Sequence, residues 1–92
     1  MKNEKAFKSG VATIDAIAED LVVTGATQMD YASLAKLNKA VYQIMTGTGL
    51  NEVVVFSVIH RSIKEARENG PKGYAKKDYF IAEMTTQLSK GA

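Results

Sequence analysis

Apolar residues return along the chain at steps of three and four, in four separate stretches. In the first, Phe7, Val11, Ile14, Ile17 with Ala18, and Leu21 keep to one stripe of a helix with 3.6 residues per turn. Lys8, Thr13, Asp15, Glu19 and Asp20 fall mostly off that stripe. Gly10 inside the stretch costs about 1 kcal/mol relative to alanine, which favours a start just after Ser9. The pattern predicts a helix that starts at about Asn3 or Ser9 and ends at Val22, with 9–22 preferred, stopped by Gly25.

A loop over 24–29 leads to Asp30, a good N-cap, and a second helix is predicted over 31–45. Its apolar positions are Tyr31, Leu34, Leu37 with Ala40, Val41 and Ile44, and Thr46-Gly47-Thr48-Gly49 is read as its stop.

The third stretch supports two readings. Asn51 can cap a helix, Leu50 can staple against Val55, and Val55 or Phe56, Ile59, Ile63 and Ala66 keep helical steps as far as Asn69-Gly70-Pro71. There Gly70 is expected in a left-handed closing conformation. Yet Val53 to Ile59 is rich in β-branched residues, which prefer strands. The caps and the Ile59–Ile63–Ala66 continuation favour a helix over 52–68; the alternative is an α+β fold with 53–59 as a central strand. Pro71 to Lys77 reads as a basic connector. Asp78 would then cap a last helix over 79–89 with Phe80, Ile81, Met84 and Leu88 on its apolar side, and the last three residues are expected to fray.

The expected fold is therefore all-α, a compact bundle of about four helices forming one domain over 1–92. Its expected core is Val11, Ile14, Leu21, Leu34, Leu37, Val41, Ile44, Val55, Phe56, Ile59, Ile63, Ile81 and Met84.

Composition narrows the chemistry. The chain has no cysteine, which excludes disulfides, thiolate metal sites and a cysteine nucleophile, and fits the cytoplasm. No apolar run approaches the roughly 18 residues of a membrane span, and Lys8 and Asp15 interrupt any apolar signal region behind the N-terminus. No membrane partner is expected.

The net charge of +2 is unevenly placed: residues 60–77 carry six bases against two acids, and the rest of the chain is neutral or slightly acidic. Arg61 with Glu65 and Lys64 with Glu68 are expected i, i+4 pairs, with Arg67 pointing elsewhere. Lys72, Lys76 and Lys77, interleaved with Tyr74 and Tyr79, are less compensated, a composition suited to phosphate contact and base stacking.

His60 is the only histidine, so a histidine-rich metal site is excluded; near Ser57 and Ser62 it reads as a surface residue rather than a catalytic base. Asp15, Glu19 and Asp20 read as a solvated acidic face. The 46–51 loop lacks the phosphate-loop lysine and reads as a plain turn. These readings point away from an enzyme, and neither a cofactor nor a metal is expected.

Leu21-Val22-Val23-Thr24, a following helix, a glycine-containing turn and Gly49-Leu50-Asn51-Glu52-Val53-Val54 together resemble the strand–helix–turn–helix order of ribbon-helix-helix repressors. Those proteins read DNA with a strand presented by a dimer. Here that strand would carry no Arg or Lys and would follow some twenty helical residues, so the chain is not identified as a member.

Val53 to Ile59 leaves almost no polar face, and a helix apolar all round must be surrounded. Either it is the central helix of its own bundle or it packs across a subunit boundary. Self-association as a homodimer through the third helix, with Val54 and Val58 at the contact, is the favoured expectation. Two function classes follow. One is a non-enzymatic protein-interaction module of adaptor or inhibitor type, binding itself and another protein through a helical surface. The other is a dimeric nucleic-acid-binding regulator using Arg61, Lys64, Lys72, Lys76, Lys77 and Tyr74.

Overall fold

The computed structural model describes residues 1–24 and 30–91, so the predicted stop at Gly25, most of the 24–29 loop and the fraying of Ala92 lie outside the described residues. The elements are α1 (Glu4–Ala18), which runs on into a π-helical turn (Glu19–Val23), then α2 (Tyr31–Thr48), α3 (Glu52–Asn69) and α4 (Ala75–Ser89). Among the described residues there is no strand.

The 53–59 stretch is helical, and the α+β alternative falls. Asn51 Oδ1 accepts a hydrogen bond from the Val54 N–H at 2.9 Å, and the helix runs unbroken to Asn69. A β-branched residue loses at most about 0.7 kcal/mol in a helix interior. Burying a side chain such as Val55, Val58 or Ile59 returns about 1.5–3 kcal/mol each, so packing overrides propensity.

Helix α1 begins at Glu4, the earlier of the two expected starts and five residues before the preferred one, because Asn3 caps it by accepting from the Ala6 N–H at 3.0 Å. Gly10 is not a boundary. It is buried inside the helix, where a Cβ would sit 2.6 Å from Ile44 Cγ1 and 3.1 Å from the Ala40 carbonyl oxygen. Helices α1 and α2 run antiparallel at this close approach, as the Phe7–Gly47, Thr13–Gln43 and Asp20–Ser33 contacts show.

Helix α2 accordingly passes through Gly47 and continues to Thr48, three residues beyond the predicted end at 45. The Gly47 carbonyl accepts from the Lys2 and Asn3 N–H groups at 3.0 and 2.9 Å, tying the start of α1 to the end of α2. Gly49, with φ +80°, and not Gly47, takes the left-handed conformation that closes α2.

The inward face of α2 is Ser33, Ala40, Val41, Ile44 and Gly47. That face lies out of phase with the stripe read from Tyr31 and Leu34, and Leu34, expected in the core, is 46 % exposed. Of the other expected core residues, Ile14, Leu21, Val41, Ile44, Val55, Ile59 and Met84 are buried. Val11, Leu37, Phe56, Ile63 and Ile81 pack half-buried against them. Phe7, Ile17, Ala18, Val22, Ala40, Val58, Ala66, Phe80 and Leu88 complete the core.

In the π-helical turn the Thr24 N–H donates to the Glu19 carbonyl five residues back, at 3.0 Å. The wider turn carries Leu21 and Val22 into the core side by side. Leu21 to Val23, in the strand of the ribbon-helix-helix order, are thus helical, with Thr24 closing the turn.

Helix α4 begins at Ala75 rather than 79, with Asp78 in its first turn and not at its cap. Lys76 and Lys77 therefore belong to the helix, half-buried, and not to a connector. Gly70 is extended, at φ −79° and ψ 174°, and not left-handed; its N–H still reaches the Ala66 carbonyl. A radius of gyration of 12.1 Å equals the roughly 12 Å of a fully collapsed chain this long.

Ser62 is fully buried on the inner face of α3, and its hydroxyl has no hydrogen-bond partner. A buried orphan of this kind costs about 1–3 kcal/mol, and alanine is also the better helix former. Ser62→Ala is expected to raise the urea midpoint, by an amount corresponding to about 1 kcal/mol; a lowered midpoint would show that the hydroxyl is satisfied.

Candidate interaction surface

Of the large apolar side chains left in water, Tyr31, Leu34 and Tyr42 stand on α2 and Val53 at the start of α3, while Met1 and Tyr74 are exposed elsewhere. Tyr31 is 90 % exposed, Tyr42 72 % and Val53 75 %. On α2, Tyr31, Leu34, Asn38, Tyr42 and Met45 follow one another at steps of three, four, four and three, which is a single helical stripe. It lies beside the buried stripe of Ser33, Ala40, Val41, Ile44 and Gly47, so α2 has two faces, one covered and one exposed from Tyr31 to Tyr42 with Met45 half-buried at its end.

The bare stripe opens onto the start of α3. Asn38, Val41, Tyr42, Met45, Glu52 and Phe56 line a shallow groove of about 430 Å³ between the two helices. No charged residue stands on the stripe itself; Lys36 and Lys39 fall off it, and Glu52 marks the groove's α3 edge. Asp30 holds the stripe's first turn in place by accepting from the Ser33 N–H at 2.7 Å, the bond that chiefly keeps its carboxyl below the usual aspartate pKa.

The sequence pattern puts Tyr31 on the apolar stripe of the second helix and Leu34 in the core, and passes over Tyr42. The missed signal is the second register on α2, visible once Ser33, Ala40 and Gly47 are accepted as an inward face despite their small size. Conversely, Val58, expected at a self-association contact, is completely buried in its own chain, and no surface presents it. Val54 is half-buried. Nor is α3 surrounded on all sides: Val53, Ser57, His60, Arg61 and Lys64 form an exposed side.

The basic residues make a second surface. His60, Ile63, Lys64, Arg67 and Glu68 line a shallow groove of about 360 Å³ along α3, so Arg67 joins Lys64 rather than pointing away from it. The expected Arg61–Glu65 and Lys64–Glu68 pairs are not formed; among the described residues the one ion pair is Lys8–Glu4, at 3.4 Å. Glu65 is held instead by the Tyr79 hydroxyl at 2.7 Å and the Asn69 amide at 3.1 Å. Those bonds lower its pKa, and the bond to Glu65 raises that of Tyr79.

Tyr79 is thereby tied to the bundle. Tyr74 remains 69 % exposed, its hydroxyl pKa raised by a hydrogen bond to Glu19 and then by that carboxylate's charge. Arg61 and Lys64 on α3 and Lys72 in the α3–α4 connection are exposed, whereas Lys76 and Lys77 are half-buried in α4.

The remaining candidates stay apart. His60 faces solvent while Ser62 faces the core, and the Ser57 carbonyl, not its hydroxyl, is engaged, by Arg61. Asp20 accepts weakly from the Ser33 hydroxyl at 3.4 Å. Among the described residues no group of three His, Asp or Glu side chains is placed to hold a metal ion. The α3 N-terminus, where a phosphate would bind, is occupied by the Asn51 side chain. Among the described residues no helix is long and apolar enough to cross a membrane.

No protein-family model matches the chain, and no curated protein or solved structure resembles it closely enough to inform its function.

Proposed function

We propose that the protein is a non-enzymatic interaction module of adaptor or inhibitor type that binds through the outer face of α2 and the α2–α3 groove, and that it self-associates there. The observation that carries this reading is the α2 stripe with Tyr31 90 % and Tyr42 72 % exposed, opening onto Phe56 of α3. A contiguous apolar patch of this kind is a liability on a monomer unless something covers it, and tyrosines contribute disproportionately at protein interfaces. A cysteine-free composition suits work in the reducing cytoplasm.

Sedimentation of the wild type beside a Tyr31→Glu, Tyr42→Glu double variant tests it. The wild type should associate reversibly at high micromolar concentration, and the variant should remain a folded monomer, because two buried carboxylates cannot be accommodated at a neutral contact. Identical sedimentation of the two proteins would overturn the reading.

A second reading is supported by Lys64 and Arg67 along one groove of α3, with Glu68 the one acid lining it and Arg61 exposed on the same helix: binding of nucleic-acid backbone. In that case the Lys72, Lys76 and Lys77 to alanine triple variant should lower the slope of log affinity against log salt by about 0.7–0.9 for each phosphate no longer neutralised. Since Lys76 and Lys77 are half-buried, Lys72 with Arg61, Lys64 and Arg67 is the stronger set. An electrophoretic shift at two salt concentrations decides it: a complex that withstands added salt, or no complex at low salt, removes this reading.

A further inference from the structure

Resting on the interaction reading, we infer that the occupant of the α2 face is a second copy of this chain, packed antiparallel about a twofold axis at Asn38. The stripe is symmetric about that residue. Tyr31 lies seven positions before Asn38 and Met45 seven after it; Leu34 lies four before and Tyr42 four after. In an antiparallel pair of α2 helices, positions equally far from the axis meet. Tyr31 therefore meets Met45 of the partner subunit, and Leu34 meets Tyr42 of the partner subunit.

Each meeting is chemically sound. A thioether against an aromatic edge is attractive, and leucine against tyrosine buries apolar area on both sides. On the axis Asn38 meets its own copy, and a primary amide is among the few polar groups that can satisfy a copy of itself, since each has an N–H donor and an oxygen acceptor. A single polar asparagine in an otherwise apolar helix seam is also a device that sets register.

Charge points to the same occupant. A twofold contact brings every central charge close to its duplicate, so a self-complementary face must be neutral at its middle. This stripe is, from Tyr31 to Met45, with the α2 lysines off it. A partner of opposite charge would need no such neutrality. Phe56, half-buried across the groove from Met45, extends the face at the end where Tyr31 of the partner subunit arrives.

The area sets the strength. Two mostly exposed tyrosines offer about 300 Å² between them, and the smaller side chains of the stripe add to that. The total stays below the roughly 800 Å² per partner of a standard stable interface, which is the regime of reversible, micromolar or weaker association.

The absence of cysteine makes the test direct. Asn38→Cys and Lys64→Cys single-cysteine variants are treated with a short bismaleimide at high protein concentration, after circular dichroism confirms that both are folded. Both positions are exposed. Asn38→Cys should be bridged into a covalent dimer at least about tenfold faster than Lys64→Cys, because the axis holds its two copies at high effective concentration. If the wild type sediments as a dimer but Asn38→Cys gains no such advantage, this packing is wrong and the interaction reading survives. If the wild type is monomeric at millimolar concentration, the inference falls together with self-association, and any interaction would require a different partner.

Discussion

Phe80→Ala is expected to lower the unfolding free energy by about 3–5 kcal/mol, the usual range for deleting a fully buried phenyl group. Phe80 is completely buried on α4 and belongs to the same continuous core as Ile14, Ile44 and Val55. A domain of this size has a total stability of about 5–15 kcal/mol, so the variant keeps only part of it and at the lower end unfolds at room temperature. The comparison that gives the number meaning is Tyr42→Ala, which removes a larger side chain from a position 72 % exposed and should shift stability by no more than about 0.5 kcal/mol. Urea melts of the two variants check both values; a Phe80→Ala midpoint equal to that of Tyr42→Ala would show that α4 is packed the other way round.

Gly47→Ala is expected to destabilise, although alanine is the better helix former. The propensity gain is about 1 kcal/mol. Against it, the new Cβ would lie 2.5 Å from the Phe7 nitrogen and 2.7 Å from its Cα, backbone atoms that cannot rotate aside. Overpacking of this kind costs about 1–3 kcal/mol. Forcing the helices apart also strains the two bonds from the Lys2 and Asn3 N–H groups to the Gly47 carbonyl, each worth about 0.5–1.5 kcal/mol. The net loss should be near 2 kcal/mol, or a fall in Tm of about 8–16 °C for a domain this small. Gly10→Ala should lose less, because its closest obstacle is the movable Cγ1 of Ile44 at 2.6 Å. Thermal melts in which Gly47→Ala is as stable as the wild type would contradict the close antiparallel approach of α1 and α2.

The same two glycines explain what is legible in the sequence and what is not. The four-helix arrangement is readable, since Asp30 and Asn51 cap as expected and the large apolar residues of α1, α3 and α4 recur at helical steps. Element ends are misjudged wherever a glycine is read as punctuation. Gly10 and Gly47 sit inside helices because two backbones touch there, a tertiary requirement that no local pattern carries. The face of α2 is misread for a related reason. Its inward side is built from Ser33, Ala40 and Gly47, which a search for large apolar residues overlooks in favour of Tyr31 and Leu34. The candidate surface is therefore masked by its own apolar character, because its residues look like core. The basic stretch is visible as composition, but its pairing is not, because Glu65 is taken by Tyr79 from fourteen positions away.

The most direct measurement is a dilution series followed by two-dimensional amide NMR of the isotopically labelled wild-type protein, from millimolar to low micromolar concentration. If the outer face of α2 is the working surface, concentration-dependent shifts should be confined to residues 31–45 and the start of α3 around Val53 and Phe56, with the basic groove of His60, Lys64 and Arg67 unchanged. Spectra that do not depend on concentration, or shifts centred on the basic groove with the α2 stripe unaffected, would contradict it.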